Sequence, residues 1–166
     1  MRRYLGIRVK LLDMKKALKI VVVVVVVLLV LIQFVRPDRT NPPIDAAEAL
    51  EASMQVPADV RMVLNRSCAD CHSNATTYPW YSNISPVSWF LANHINEGRR
   101  ELNFSVWNTY ADRKKAKKLE EICDQVRAGE MPLPSYLWIH RDAELSDSDR
   151  PLLCDWANAE RAKIPQ

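Results

Sequence analysis

At 166 residues, with 48% apolar and 26% charged side chains, the chain has the length of one domain. Its net charge of +3 hides a division, because residues 1–40 hold nine Lys/Arg against two Asp while residues 41–166 hold fourteen against eighteen Asp/Glu. The acidic balance of the larger part excludes the basic footprint of a nucleic-acid binder, and three glycines with no sustained apolar–polar alternation exclude a sheet-rich fold and predict helices.

The first 19 residues carry Arg2, Arg3, Arg8, Lys10, Lys15, Lys16 and Lys19, and an uncharged run follows from Ile20 to Val35, with seven consecutive valines from Val21. At about 1.5 Å per residue this run reaches roughly 24 Å, short of the ~30 Å hydrocarbon core of a bilayer, and a snorkelling Lys19 extends the span. The pattern predicts one transmembrane helix over 20–35 that anchors the chain in membrane lipid. By the positive-inside rule residues 1–19 stay cytoplasmic and everything after Val35 crosses the bacterial inner membrane into the periplasm. Gln33-Phe34-Val35-Arg36-Pro37 offers no small-x-small cleavage site, so an uncleaved signal anchor is expected. Met14, followed by Lys15 and Lys16, has the context of a translation start, which leaves Met1 and Met14 as alternatives.

Residues 36–55 contain Pro37, Pro42 and Pro43 among polar neighbours and read as an extended linker, with a short helix or turn over Asp45–Ser53. The globular domain then occupies 56–166. A helix opens with Pro57 at its first position, places Val60, Val63 and Leu64 on one face, and runs into Cys68-Ala69-Asp70-Cys71-His72. This C-x-x-C-H run is the spacing of c-type haem attachment, in which each thiol adds to one porphyrin vinyl group and the adjacent imidazole ligates the iron. Three other chemistries use similar residues. A thioredoxin-like redox pair follows a strand, whereas this run follows an amphipathic helix. A zinc site needs four ligands, and the remaining cysteines, Cys123 and Cys154, stand alone. A disulfide between Cys68 and Cys71 strains a short loop and gives His72 no task.

Ser73–Ile84, with Tyr78-Pro79-Trp80-Tyr81, is a loop whose aromatic density suits either loop packing or a wall against the porphyrin edge. Ser85 caps, Pro86 opens and Gly98 closes the next helix, which carries Val87, Phe90, Leu91, His94 and Ile95 on its apolar face. Leu102–Trp107 is irregular. Asp112–Ala128 forms a helix with Leu119, Ile122, Cys123 and Val126 buried, ended by Gly129. The lysines near its start, Lys114, Lys115, Lys117 and Lys118, oppose the helix dipole. They form either a solvated face or a docking patch for an acidic redox partner. A proline-stiffened loop, Glu130-Met131-Pro132-Leu133-Pro134, follows. A final helix starts near Ser146 or Ser148 and turns Leu152, Leu153 and Trp156 inward.

His72 is the proximal iron ligand by adjacency. For the sixth position Met131 is preferred, because a loop stiffened by proline can hold a weak thioether ligand without losing much entropy. His94 is the alternative sixth ligand, or else a core or propionate contact, and His140 is expected near the surface or a propionate. Cys123 and Cys154 either form a disulfide, suited to an oxidising compartment, or remain buried thiols.

The order of helix, C-x-x-C-H, helices, Met-Pro loop and final aromatic-bearing helix resembles a class I cytochrome c. More closely, Cys68–Trp156 is similar to the small bacterial haem-binding domain family with a single C-x-x-C-H. That likeness rests on Cys68–Asn74, Tyr78-Pro79-Trp80-Tyr81, His94 with Gly98, Asn103-Phe104-Ser105 with Trp107, Gly129-Glu130-Met131-Pro132, and Tyr136 with His140. The resemblance implies an all-α, cytochrome c-like domain around one covalent haem c, outside the cytoplasm. Three functions are compatible with it: an electron carrier serving a redox partner protein, a haem enzyme or gas sensor with an open or displaceable sixth ligand, and an accessory haem module of a membrane complex. No nucleophile, base and orienting-group constellation stands apart from the haem motif, which disfavours ordinary hydrolase chemistry, and of the three functions the electron carrier is preferred to an enzyme.

Overall fold

The computed structural model describes residues 2–165, with side chains from Met14 onward; Met1 and the side chains of Arg2, Arg3, Arg8 and Lys10 lie outside the described residues. The described chain is all-helical, without a strand. Its helices are α1 (Arg2–Leu31), α2 (Ala58–Ser67), α3 (Ala69–His72), α4 (Val87–Glu101), α5 (Asp112–Ala128), α6 (Pro134–Leu137) and α7 (Asp149–Ala162), with short 3₁₀ turns between them. Chain contacts separate two units, one of Met1–Asp38 with Pro79–Ala92 and one of Arg39–Tyr78 with Asn93–Gln166.

In the first unit, α1 continues through a 3₁₀ turn over Ile32–Phe34. Met14–Phe34 is apolar and long enough to cross a membrane, and none of it is buried inside the protein. A core helix of similar composition would be covered by other elements. The valine run is instead about half exposed along its whole length, which is compatible with a single membrane span. Helix formation begins well before Ile20, since no proline or glycine pair interrupts the segment between Arg8 and Lys19 and lysine and leucine are good helix formers.

The second unit holds the core. Helices α5 and α7 pack side by side through Leu119, Cys123 and Val126 against Leu153, Cys154 and Ala157, all buried. Cys123 and Cys154 are joined as a disulfide with their Cα atoms 4.5 Å apart. That resolves the two expectations for this pair in favour of the bridge. Helix α2 lays Val60, Val63 and Leu64 onto the same core, as its spacing predicts, and Pro57 precedes rather than begins the helix. The segment from Arg39 is not a free tether. Asn41 donates to the Thr76 carbonyl, Pro43 accepts from Asn74, Arg99 reaches Asn41, and Leu50 is buried in the core.

One helix end differs from the sequence expectation. Gly98 does not close α4, which continues to Glu101. A β-carbon on Gly98 would lie 2.7 Å from the Cys71 carbonyl oxygen, so the glycine is there for close approach and not for a left-handed turn. Gly129 does end α5 in the left-handed conformation, with φ of 69°. Helix α7 follows Ser148 at its N-cap position, and the side-chain bonds at its start come from Ser146, whose hydroxyl accepts from the Asp149 amide at 3.1 Å while the Asp149 carboxylate accepts from the Ser146 amide at 2.8 Å. This reciprocal pair is a capping box, and Ser148 takes no part in it through a side-chain cap.

Candidate functional site

Helix α2 delivers the chain to Cys68, after which a single helical turn, α3, carries Cys71 and His72. The amides of Cys71 and His72 both donate to the Cys68 carbonyl, at 3.2 and 2.9 Å. The C-x-x-C-H run therefore closes on itself as one turn, with both thiols free. Its second internal residue, Asp70, is tied on three sides. Its carboxylate accepts from the Thr77 amide at 3.0 Å and the Tyr136 hydroxyl at 2.8 Å, and its carbonyl accepts from the Thr76 hydroxyl at 2.6 Å.

The His72 imidazole is oriented by the end of α4. Its Nδ1 lies 3.0 Å from the carbonyl oxygens of both Gly98 and Leu102. The Gly98 carbonyl also accepts from the Leu102 amide at 2.9 Å, a carbonyl oxygen having two lone pairs, and two acceptors at one ring nitrogen require that nitrogen to carry the proton. The neutral ring then has its lone pair on Nε2, the tautomer of a histidine that ligates a metal through Nε2 and is held by a backbone hydrogen bond through Nδ1. Burial lowers the His72 pKa, against the opposing pull of the Leu102 and Gly98 carbonyls, which keeps the ring neutral and suited to ligation.

A cavity of about 380 Å³ opens beside this ring, within the roughly 300–1,000 Å³ of cofactor sites. Cys68, His72 and Met131 all line it, Met131 arriving from the loop after α5 and followed by a cis peptide to Pro132. Leu64, Leu102, Phe104, Ile122 and Val126 supply apolar walls, and Phe104 stands tilted to the His72 ring at 6.4 Å. One side is charged, where Lys118 pairs with Glu121 at 2.6 Å and with Glu101 at 3.6 Å. Cys71 sits on the same turn as Cys68 and His72 without being a lining residue.

Other expected residues fall elsewhere. His94 is not among the cavity-lining residues, and neither is His140, which stacks on Tyr136 with ring centroids 4.3 Å apart. Trp80 is 76% exposed, and none of Tyr78-Pro79-Trp80-Tyr81 is among the residues that line this cavity. The α5 lysines are engaged within the protein: Lys114 lies over the Tyr110 ring, Lys115 donates to Asn108, Lys117 pairs with Glu121, and Lys118 faces the cavity. The contributions of Tyr136, Gly98 and Lys118 to the site were not anticipated. Tyr136 meets Asp70 across 66 positions of sequence, and no local pattern announces such a contact.

The donor set discriminates among the chemistries that share these residues. Burial pushes the Cys68 thiol up to about 12 and, with the Asp70 charge as the next cause, the Cys71 thiol up to about 11. A reactive redox pair has a lowered thiol pKa. Among the described residues no cluster of three or more His, Cys, Asp or Glu side chains has the arrangement of a metal-ion site, so zinc lacks its ligands. Two thiols on one turn, an imidazole with its Nε2 lone pair available, and a thioether on the wall of the same largely apolar cavity do fit a haem. No curated protein and no solved structure matches the chain. The model of the Haem-binding domain family matches residues 27–159, most of the chain including every residue of this cavity, and the protein belongs to that family.

Proposed function

We propose that this haem-binding protein is a membrane-anchored monohaem c-type cytochrome that transfers electrons, with its haem domain in the periplasm. The orientation of His72 by the Gly98 and Leu102 carbonyls, beside a cavity that Met131 also lines, carries the proposal.

Cys68 and Cys71 would hold the porphyrin covalently. Such attachment would be an addition of each thiol S–H across one vinyl group, which would need no oxidant and no leaving group. His72 Nε2 and the Met131 thioether would be the side chains that hold the iron. Haem iron supplies one-electron chemistry, alternating between ferric and ferrous states. The chain's part is to set the potential and keep water away: a Met/His pair raises the potential, and Leu64, Phe104, Ile122 and Val126 surround the donors with apolar surface. The redox partner is a protein reached from the membrane surface.

Covalent attachment is directly testable. Expressed with haem-maturation machinery, the protein should retain haem through denaturing electrophoresis, and the double variant Cys68→Ala/Cys71→Ala should retain none. Haem extractable by acidic organic solvent from the unmutated protein would refute a c-type assignment.

A further inference from the structure

The aromatic segment that supplies no wall to the haem cavity has a different position in the first unit. From Ser73 to Asn96 the sequence contains no Asp, Glu, Lys or Arg, although 26% of the chain is charged. Within this stretch Trp80 is 76% exposed and Phe90 is 54% exposed, with Ile84, Val87 and Trp89 also exposed. Soluble surfaces rarely gather so many exposed large apolar side chains in one stretch.

The segment is fastened to the C-terminal end of the apolar helix. Gln33 grips Ser85 through both backbone groups: its Nε2 donates to the Ser85 carbonyl at 2.9 Å, and its Oε1 accepts from the Ser85 amide at 3.0 Å. The same Nε2 donates to the Leu29 carbonyl at 2.8 Å. The Val35 carbonyl accepts from the Trp89 indole at 2.7 Å and from the Ser85 hydroxyl at 3.4 Å. Carbonyls at the end of a helix need outside partners, and at the edge of a bilayer unsatisfied backbone groups are costly. For the Val35 carbonyl the partners come from the aromatic segment itself. Phe34, 80% exposed, stands at the same level.

We propose that Pro79–Phe90 is a lipid-binding element that lies in the bilayer interface beside the exit of the membrane helix, with Trp80, Ile84, Val87 and Phe90 inserted among headgroups and upper acyl chains. The inference rests on Met14–Phe34 spanning the membrane. Continuity with that span identifies the occupant, because a patch hydrogen-bonded at Gln33 and Val35, the C-terminal end of the apolar segment, is held where hydrocarbon gives way to headgroups. Tryptophan is enriched at that depth, where an apolar ring and a polar N–H are both accommodated. An uncharged segment predicts insertion into neutral lipid, without the anionic headgroups that a basic amphipathic helix requires.

Photolabelling of the full-length haem-loaded protein in phosphatidylcholine vesicles tests the proposal, using a phospholipid that carries a diazirine near the top of its acyl chain and mapping adducts by peptide mass spectrometry. Adducts are expected on peptides covering both 14–34 and 79–90, and Trp80→Ser/Phe90→Ser should lower the yield on 79–90 severalfold while leaving 14–34 unchanged. Labelling of 14–34 with 79–90 at background would overturn the interfacial element alone. So would cross-links from 79–90 to a second protein chain in place of lipid. Absence of label from both peptides would remove the membrane span together with the proposal. Labelling of the unmutated protein decides the matter even if the double variant does not fold.

Discussion

His72 shows how one side chain is specified by neighbours distant in sequence. Its place after Cys71 is written in the chain, but its tautomer is set by carbonyls 26 and 30 positions later, at Gly98 and Leu102. The approach of α4 that delivers those carbonyls depends on Gly98 having no side chain. In an exposed helix Gly→Ala stabilises by about 1 kcal/mol, whereas forcing extra volume into a packed contact costs about 1–3 kcal/mol. At Gly98 the second effect should win, because the new methyl would meet a backbone oxygen at 2.7 Å, which cannot rotate aside. Gly98→Ala is therefore expected to lower stability by about 1–2 kcal/mol and to reduce haem retention, measured by denaturant midpoint and by haem absorbance per protein. Unchanged stability and full haem content would show that α4 has room to retreat. None of this is legible from Gly98 in sequence, where a glycine near the end of an apolar pattern signals a cap. The Cys68, Cys71 and His72 constellation is legible because its spacing is local.

At the scale of elements, α7 is fixed to its surroundings by its start and by its middle. At the start, the Asp149 carboxylate completes the capping box with Ser146 and also accepts from Arg66 of α2 at 2.7 Å. Burial alone would raise the Asp149 pKa, but the Ser146 hydrogen bonds and the Arg66 guanidinium outweigh it and hold the carboxyl below its ordinary range. A depressed folded-state pKa adds stability that is complete above the unfolded value of about 3.9 and is lost as the pH falls through the lower folded value. Asp149→Asn should thus be less stable than the unmutated protein by about 1 kcal/mol near neutral pH, the usual worth of a cap, and the difference should vanish in acid. A difference independent of pH would mean that the carboxylate charge has no part in it. In the middle, the Cys123–Cys154 bridge ties α7 to α5 across 31 positions, worth about 3–4 kcal/mol in the chain-entropy model. Alkylation without reductant should leave both sulfurs unmodified, and reduction should lower the unfolding midpoint; two alkylated cysteines in the unreduced protein would exclude the bridge. Sequence identified both cysteines as inward-facing, but pairing depends on the distance between two helix faces, which periodicity does not encode.

Across the whole molecule, the patterns that depend on neighbours in sequence were legible: the all-helical class, the apolar N-terminal helix, the α2 and α5 faces and the single turn from Cys68 to His72. What was not legible depends on which segments meet. Residues 36–55 read as a linker because of their prolines, yet from Arg39 onward the segment is held by Thr76, Asn74 and Arg99. Trp80 and Tyr81 read equally well as loop packing or a haem wall, and neither is among the residues that line the cavity. Met131 and His94 are both plausible iron ligands by composition, whereas in the fold Met131 lines the cavity with His72 and His94 does not. The absorption spectrum of the ferric haem-loaded protein tests that distinction most directly. His72 and Met131 together predict a low-spin spectrum with the weak sulfur-to-iron band of Met/His ligation, and Met131→Ala should abolish the band and open the reduced iron to rapid carbon monoxide binding. A high-spin unmutated protein that binds carbon monoxide at once would contradict the assignment, as would a site opened by His94→Ala and left intact by Met131→Ala.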